Sequence, residues 1–263
     1  MARVISAFAL AILGLCIVFL GGPIHFFAFV TTVVILCLFE FYTILKKGAE
    51  PSFMWFGVVA GVGLTAVIYS ENASYMTSFI GGFVVISFSA ALLLGKDDPI
   101  KTGSNTILGV LYIAGTLACL TVIRKAPLGD YFIILLITAN SFCDIFAYYT
   151  GKMIGKTPLA PKVSPKKTVE GLIGGVGGAM VGSIGVKLLF LPSLEIHHAA
   201  IIGLLIGAFG PMGDLTESAI KRKMNVKDSG WILPGHGGML DRADALLFSG
   251  AAFYIYLKLQ LAL

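Results

Sequence analysis

Seven of the chain's 14 acidic residues and 10 of its 19 basic residues fall in two short stretches, 144–171 and 214–244. In the first, Asp144 and Tyr148 are four apart, so they share one face of a helix. Gly151, Lys152, Gly155 and Lys156 follow, and then Pro158, Pro161 and Pro165 exclude one long helix. Ser164, Lys166, Lys167, Thr168 and Glu170 then lead into a glycine-rich apolar run. Lysines, hydroxyls and free backbone N–H groups at a helix start are what a polyphosphate requires. The segment lacks the GxxxxGK[ST] spacing of a P-loop. A polybasic anchor for anionic lipid would use the lysines. It would have no use for Asp144, Ser164, Thr168 or Glu170.

The second stretch begins with Asp214, Glu217, Ser218, Lys221 and Arg222. If the helix before it continues, Asp214, Glu217, Ser218 and Lys221 make one polar stripe. Lys227 and Asp228 follow, and the run 234–238, with His236 between glycines, must turn sharply. His236 could serve as ligand or base, or as a phosphate or loop-shaping contact. Asp241, Arg242 and Asp244 then open the last helix. Paired carboxylates beside lysines and an arginine read as a Mg²⁺ site facing phosphates, since Mg²⁺ takes one or two carboxylates and leaves room for substrate oxygens. The plainer reading is a salt-bridged loop whose aspartates cap a helix.

The elements that position these residues must sit in a bilayer. The chain of 263 residues is 57% hydrophobic and 13% charged, with a mean hydropathy of +0.92. Soluble domains carry about 25% charged residues, so a soluble, disordered or collagen-like chain is excluded. An all-α polytopic bundle of about nine spans is expected, at 4–20, 24–44, 53–68, 78–94, 107–123, 131–149, 171–190, 199–214 and 245–263. The first is read as an uncleaved span. We expect one integral-membrane domain over 1–263, with 1–130 as scaffold and 131–263 as the catalytic half. Asp144 and Asp214 then lie at span ends, where an ionisable group is costly and marks a functional site. With nine spans, 15 of the 19 basic residues fall on one side, which the positive-inside rule makes cytoplasmic. Cys16, Cys37, Cys119 and Cys143 all lie in apolar runs with no CxxC pair, so they read as small buried hydrophobes. Glu40 is expected to pair with Lys46 or Lys47.

The run from Ser218 through Lys221, Arg222, Lys227, Asp228, Gly230, Leu233, Pro234, His236, Gly237, Gly238, Met239, Asp241 and Arg242 to Asp244 resembles the signature of the phosphatidate cytidylyltransferase (CDP-diglyceride synthase) family. The run from Gly151 to Gly171, GKxxGKxxLAPKxSPKKTxEG, resembles that family too. Ala243, where the family has a larger apolar residue or Thr, is a small departure.

The resemblance implies CTP and phosphatidate as substrates and CDP-diacylglycerol and pyrophosphate as products. It also implies Mg²⁺ with a potassium ion beside it, and a dimeric helical membrane protein. It makes Asp241 and Asp214 the metal ligands. From the residues themselves, Asp144 and Asp244 are expected as supporting or direct metal ligands, and Asp241, Asp214, Lys221 and Arg222 as the catalytic set. Asp144, Lys152, Ser164, Lys166, Lys167, Thr168, Glu170, Ser218, Lys227, Asp228, His236, Arg242 and Asp244 are the expected substrate-binding residues. The expected setting is a bacterial inner membrane with the site facing the cytoplasm, membrane lipid as partner and no nucleic acid. A secondary transporter, whose charges would lie mid-span, and another CTP-using lipid enzyme, such as a polyprenol kinase, are the competing readings.

Overall fold

A computed structural model describes residues 20–230 and 237–261. The described residues are helical apart from one small hairpin and the connecting turns. In order, α1 is Pro23–Lys47, α2 Met54–Ser70, α3 Ala73–Leu93, α4 Pro99–Lys125 and α5 Gly129–Ile154. The hairpin strands β1 (Pro158–Ala160) and β2 (Ser164–Thr168) follow, then α6 Val169–Phe190, α7 Ile196–Lys223 and α8 Leu240–Gln260. Among the described residues, six helices are long and apolar enough to cross a membrane: α1, α3, α4, α5, α6 and α7. The sequence had suggested about nine spans. Two expected spans differ for reasons visible in their composition: α2 is apolar but only 17 residues long, and α8 carries Asp241, Arg242, Asp244 and Lys258. The expected span 4–20 lies outside the described residues.

The helices start and stop where the side chains dictate. Pro23 and Pro99 occupy first turns, where a missing N–H costs nothing. Asn72 caps α3 by accepting from the Ser74 and Tyr75 amides at 3.0 and 3.2 Å. Asp98 caps α4 through the Lys101 amide at 2.9 Å. Lys46 and Lys47 close α1 at the negative end of its dipole. Within α4, Val110–Ala114 is a π-helical turn.

Contacts divide the chain into two compact units. One comprises residues up to Val122 together with Lys221–Ala243, that is, the end of α7, the following loop and the first turn of α8. Its core holds Leu38, Phe41, Tyr42, Leu64 and Ile113. The Tyr42 hydroxyl donates to the Thr106 carbonyl at 2.7 Å, so its polar end is satisfied among apolar side chains. At this unit's surface the Lys101 ammonium, 2.7 Å from Glu50, holds the Glu50 carboxyl below the usual carboxylate range.

The other unit comprises Ile123–Ile220 and the chain from Asp244 onward. Its centre is the pairing of α5 with α6. A Cβ at Gly178 would lie 2.7 Å from the Phe142 carbonyl oxygen, so only glycine lets the two backbones come this close. At the end of the same pair a Cβ at Gly171 would lie 3.0 Å from the Ala147 carbonyl oxygen. Pro211 inside α7 has no N–H to offer the Gly207 carbonyl, and the Cys143 thiol lies 3.8 Å from that oxygen. Cys37, Cys119 and Cys143 are buried, as their apolar settings suggested, and Cys16 lies outside the described residues.

Candidate active site

The polar stretch after α5 folds as a hairpin because Glu170 gathers its backbone. The Glu170 carboxylate accepts from the Lys156 amide at 3.1 Å, from the Thr157 amide at 3.1 Å and from the Thr157 hydroxyl at 2.9 Å. The strands pair antiparallel, with Pro158 opposite Thr168 and Ala160 opposite Ser164. Thr168 ends β2 and caps α6, its Oγ1 accepting from the Gly171 amide at 3.1 Å. The short hairpin thus lays Ser164, Lys166 and Lys167 beside the ends of α5 and α6.

These residues line a cavity of about 500 Å³ within this unit. Asp144, Tyr148 and Lys152 enter it from α5, where Asp144 and Tyr148 share a face as their spacing required. Ser164, Lys166, Lys167 and Thr168 enter from the hairpin, Pro211 and Asp214 from α7, and Asp244 from α8. The Lys167 ammonium is ion-paired with the Asp214 carboxylate. The Ser218 hydroxyl donates to the other Asp214 oxygen at 3.3 Å. Asp144 lies within electrostatic reach of both Asp214 and Lys167. The Lys152 ammonium sits 5.9 Å from the centre of the Tyr148 ring. The cavity therefore collects carboxylates, ammonium groups and hydroxyls at the end of a set of apolar helices.

A second polar cluster belongs to the other unit. The Asp241 carboxylate accepts from Lys221 Nζ at 2.6 Å, from the Gly238 amide at 2.8 Å and from the Ser229 amide at 3.1 Å. The Gly238 contact ties the backbone just before α8 to the side chain of its second residue. Arg222, Lys227, Asp228 and Arg242 are exposed on this segment. Glu40 does not pair with Lys46 or Lys47. It is 2% exposed and accepts from the Ser229 hydroxyl at 3.0 Å and from the Met239 and Leu240 amides at 3.0 and 2.9 Å. The reason is steric: Lys46 and Lys47 are more than a helical turn away along α1, and Glu40 faces the interior.

Of the residues expected from sequence, eight meet in the cavity: Asp144, Lys152, Ser164, Lys166, Lys167, Thr168, Asp214 and Asp244. Glu170 lies behind them as the organiser of the hairpin, and Ser218 reaches the cavity through Asp214. Lys221 and Asp241 form the ion pair of the second cluster. His236 lies outside the described residues. Asn140 was not expected. It lines the cavity and donates to the Leu136 carbonyl at 2.9 Å and to Ser249 at 3.1 Å. An uncharged amide within an apolar helix carries no signal in a single sequence.

Among the described residues no group of three or more His, Cys, Asp or Glu side chains converges as a ready metal shell. Two carboxylates, Asp144 and Asp214, do share a cavity with ammonium groups that would neutralise phosphate. That donor set fits Mg²⁺, which binds through one or two carboxylates and completes its octahedron with water and substrate phosphates.

Sequence comparison adds an independent finding. The chain matches the model of a family described as the cytidylyltransferase family over residues 1–260. It is 31% identical over 237 residues to a phosphatidate cytidylyltransferase of Thermotoga maritima, covering 88% of this chain and 86% of that protein. A phosphatidate cytidylyltransferase of Synechocystis is 48% identical over 133 residues, 48% of this chain and 45% of the relative. An Escherichia coli protein called uncharacterized protein YnbB is 32% identical over 251 residues, covering 91% of this chain and 81% of its own length.

Proposed function

Because this chain belongs to the cytidylyltransferase family, we propose that it transfers the cytidylyl group of CTP to phosphatidate, releasing pyrophosphate and leaving CDP-diacylglycerol in the bilayer. The observation that carries the reading is the cavity in which the SPKKT hairpin sets Lys166 and Lys167 beside Asp144 and Asp214. Triphosphate and phosphomonoester are both polyanions, and one of them is anchored in lipid. A polar cavity at the end of membrane-crossing helices suits both.

The nucleophile is a phosphatidate phosphate oxygen. A phosphomonoester has its second pKa near about 6, so this oxygen is largely ionised at neutral pH and needs no strong base. It attacks the α-phosphorus of CTP, the bond from that phosphorus to the bridging oxygen breaks, and pyrophosphate carries away the electron pair. Catalysis is then alignment and charge neutralisation. Lys166 and Lys167 neutralise phosphate oxygens, with Lys152 at the cavity wall. Ser164 and Thr168 donate hydrogen bonds. Asp214 orients the Lys167 ammonium by its ion pair and Ser218 by its hydrogen bond. Lys221 and Arg222 contribute further positive charge, with Lys227, Asp228, His236, Arg242 and Asp244 as further substrate contacts.

Asp214 and Asp241 are proposed as metal ligands on the family resemblance, with Asp144 and Asp244 as supporting ligands, a role their place beside Asp214 in the cavity supports. Mg²⁺, when bound, would withdraw charge from the α-phosphate and orient it. Potassium is proposed as a second cation. We further propose that the span 4–20, α2 and α8 bring the number of crossings to nine. The basic loops then face the cytoplasm of a bacterial inner membrane, and the chain works as a homodimer.

Membranes containing the protein, incubated with labelled CTP and Mg²⁺, test the reading. Label should enter the lipid extract only when phosphatidate is added. Uptake of solute into vesicles with no labelled lipid would favour a transporter instead.

A further inference from the structure

Glu40 is the single carboxylate of α1, a helix long and apolar enough to cross a membrane, and it is 2% exposed. Such a group persists only when its charge is answered by hydrogen bonds. All three of its donors come from the segment 229–240, about 190 to 200 residues along the chain: the Ser229 hydroxyl and the Met239 and Leu240 amides. The last two belong to the orphan donors of a helix start, so Glu40 caps α8 from a separate helix and meets the positive end of its dipole. The same few residues hold Asp241. Ser229 gives its hydroxyl to Glu40 and its amide to Asp241, while Gly238 gives its amide to Asp241. Neighbouring N–H groups at 238, 239 and 240 are thus divided between the two carboxylates. A Cβ at Gly238 would collide with both Ser229 and Glu40, so the loop is pressed onto the Glu40 side chain.

We propose that Glu40 is the positioning residue for Asp241 and Lys221. It fixes the backbone turn that aims the Asp241 carboxylate and, through it, the Lys221 ammonium 2.6 Å away. Its service to catalysis rests on the cytidylyltransferase reading above. The device itself is a buried carboxylate, contributed by α1, that sets the geometry of a segment far along the chain.

Three variants test this: Glu40→Gln, Glu40→Asp and Ser229→Ala, each purified in detergent beside the wild type. Gln keeps volume but loses the second acceptor oxygen, Asp keeps charge but shortens the reach, and Ser229→Ala removes one donor without stranding a charge. In metal-free protein, amide hydrogen exchange should rise in the peptide covering 237–243 in Glu40→Gln and stay at wild-type level in α5 and α6. In the assay with CTP and phosphatidate, kcat should fall roughly tenfold or more and the Mg²⁺ concentration for half-maximal rate should rise. KM for phosphatidate should stay within about twofold. Glu40→Asp should recover part of the rate, and Ser229→Ala should shift the same quantities in the same direction by less. Wild-type exchange and wild-type kinetics in Glu40→Gln, or in Ser229→Ala should the Glu40 variants fail to insert, would overturn the proposal. Increased exchange confined to 237–243 with no turnover by the wild-type protein would uphold the positioning device and defeat the functional reading instead.

Discussion

Lys167 and Asp214 form a partly exposed ion pair in a polar cavity, where Ser218 also donates to Asp214. Lys167→Ala should leave the protein in the membrane and lower kcat/KM for CTP about 100- to 1,000-fold, as loss of a donor aimed at developing phosphate charge does. Steady-state kinetics on the purified variant check this. Asp214→Asn and Asp241→Asn should each insert normally and lose Mg²⁺-dependent incorporation of CTP into lipid. Near-normal turnover in either would remove that residue from the metal assignment. Much of this site was legible at the level of single residues, because in a chain with 13% charged residues each charge at the end of an apolar run stands out. Glu40 was misjudged, because its partners lie about 190 residues away, which no local spacing discloses. The hairpin bonds of the Glu170 carboxylate were likewise not legible from its spacing.

At the scale of elements, the cavity exists because α5 and α6 touch backbone to backbone and a hairpin folds over their ends. Gly178→Val would push a side chain into the Phe142 carbonyl and should destabilise the protein by about 1–3 kcal/mol, read from thermal unfolding in detergent. Glu170→Gln replaces a doubly accepting carboxylate by an amide and should loosen the hairpin. Limited proteolysis should then cut between 156 and 164 faster than in the wild type, with α5 and α6 still protected. The helices themselves were readable from their apolar lengths, but α3 and α4 begin at Ala73 and Pro99, before the expected 78 and 107, because Asn72 and Asp98 cap polar first turns. The hairpin was not, since Pro158, Pro161 and Pro165 suggested irregular loop. Pairing there depends on Glu170 reaching back 13 and 14 residues rather than on strand propensity. The π-helical turn of α4 likewise has no local sequence signature.

At the scale of the whole molecule, the chain combines helices apolar enough to cross a membrane with a small set of charges gathered into two clusters. The number of membrane crossings was the least legible feature. α2 is too short and α8 too charged at its start for composition alone to decide, whereas α1 and α3–α7 are unambiguous. If the charges serve phosphates through a metal, chelation of Mg²⁺ should abolish turnover of the reconstituted protein, and added Mg²⁺ should restore it while leaving the protein's fold unchanged. A cytidylyltransferase moves a cytidylyl group, and not a terminal phosphate, onto a lipid phosphate. The direct measurement places purified protein in phosphatidate-containing vesicles and supplies CTP labelled at the α-phosphate in one sample and at the γ-phosphate in another. α-Label should enter the lipid, and γ-label should appear only in pyrophosphate. γ-Label in the lipid, or no label from either position, would contradict the cytidylyltransferase reading.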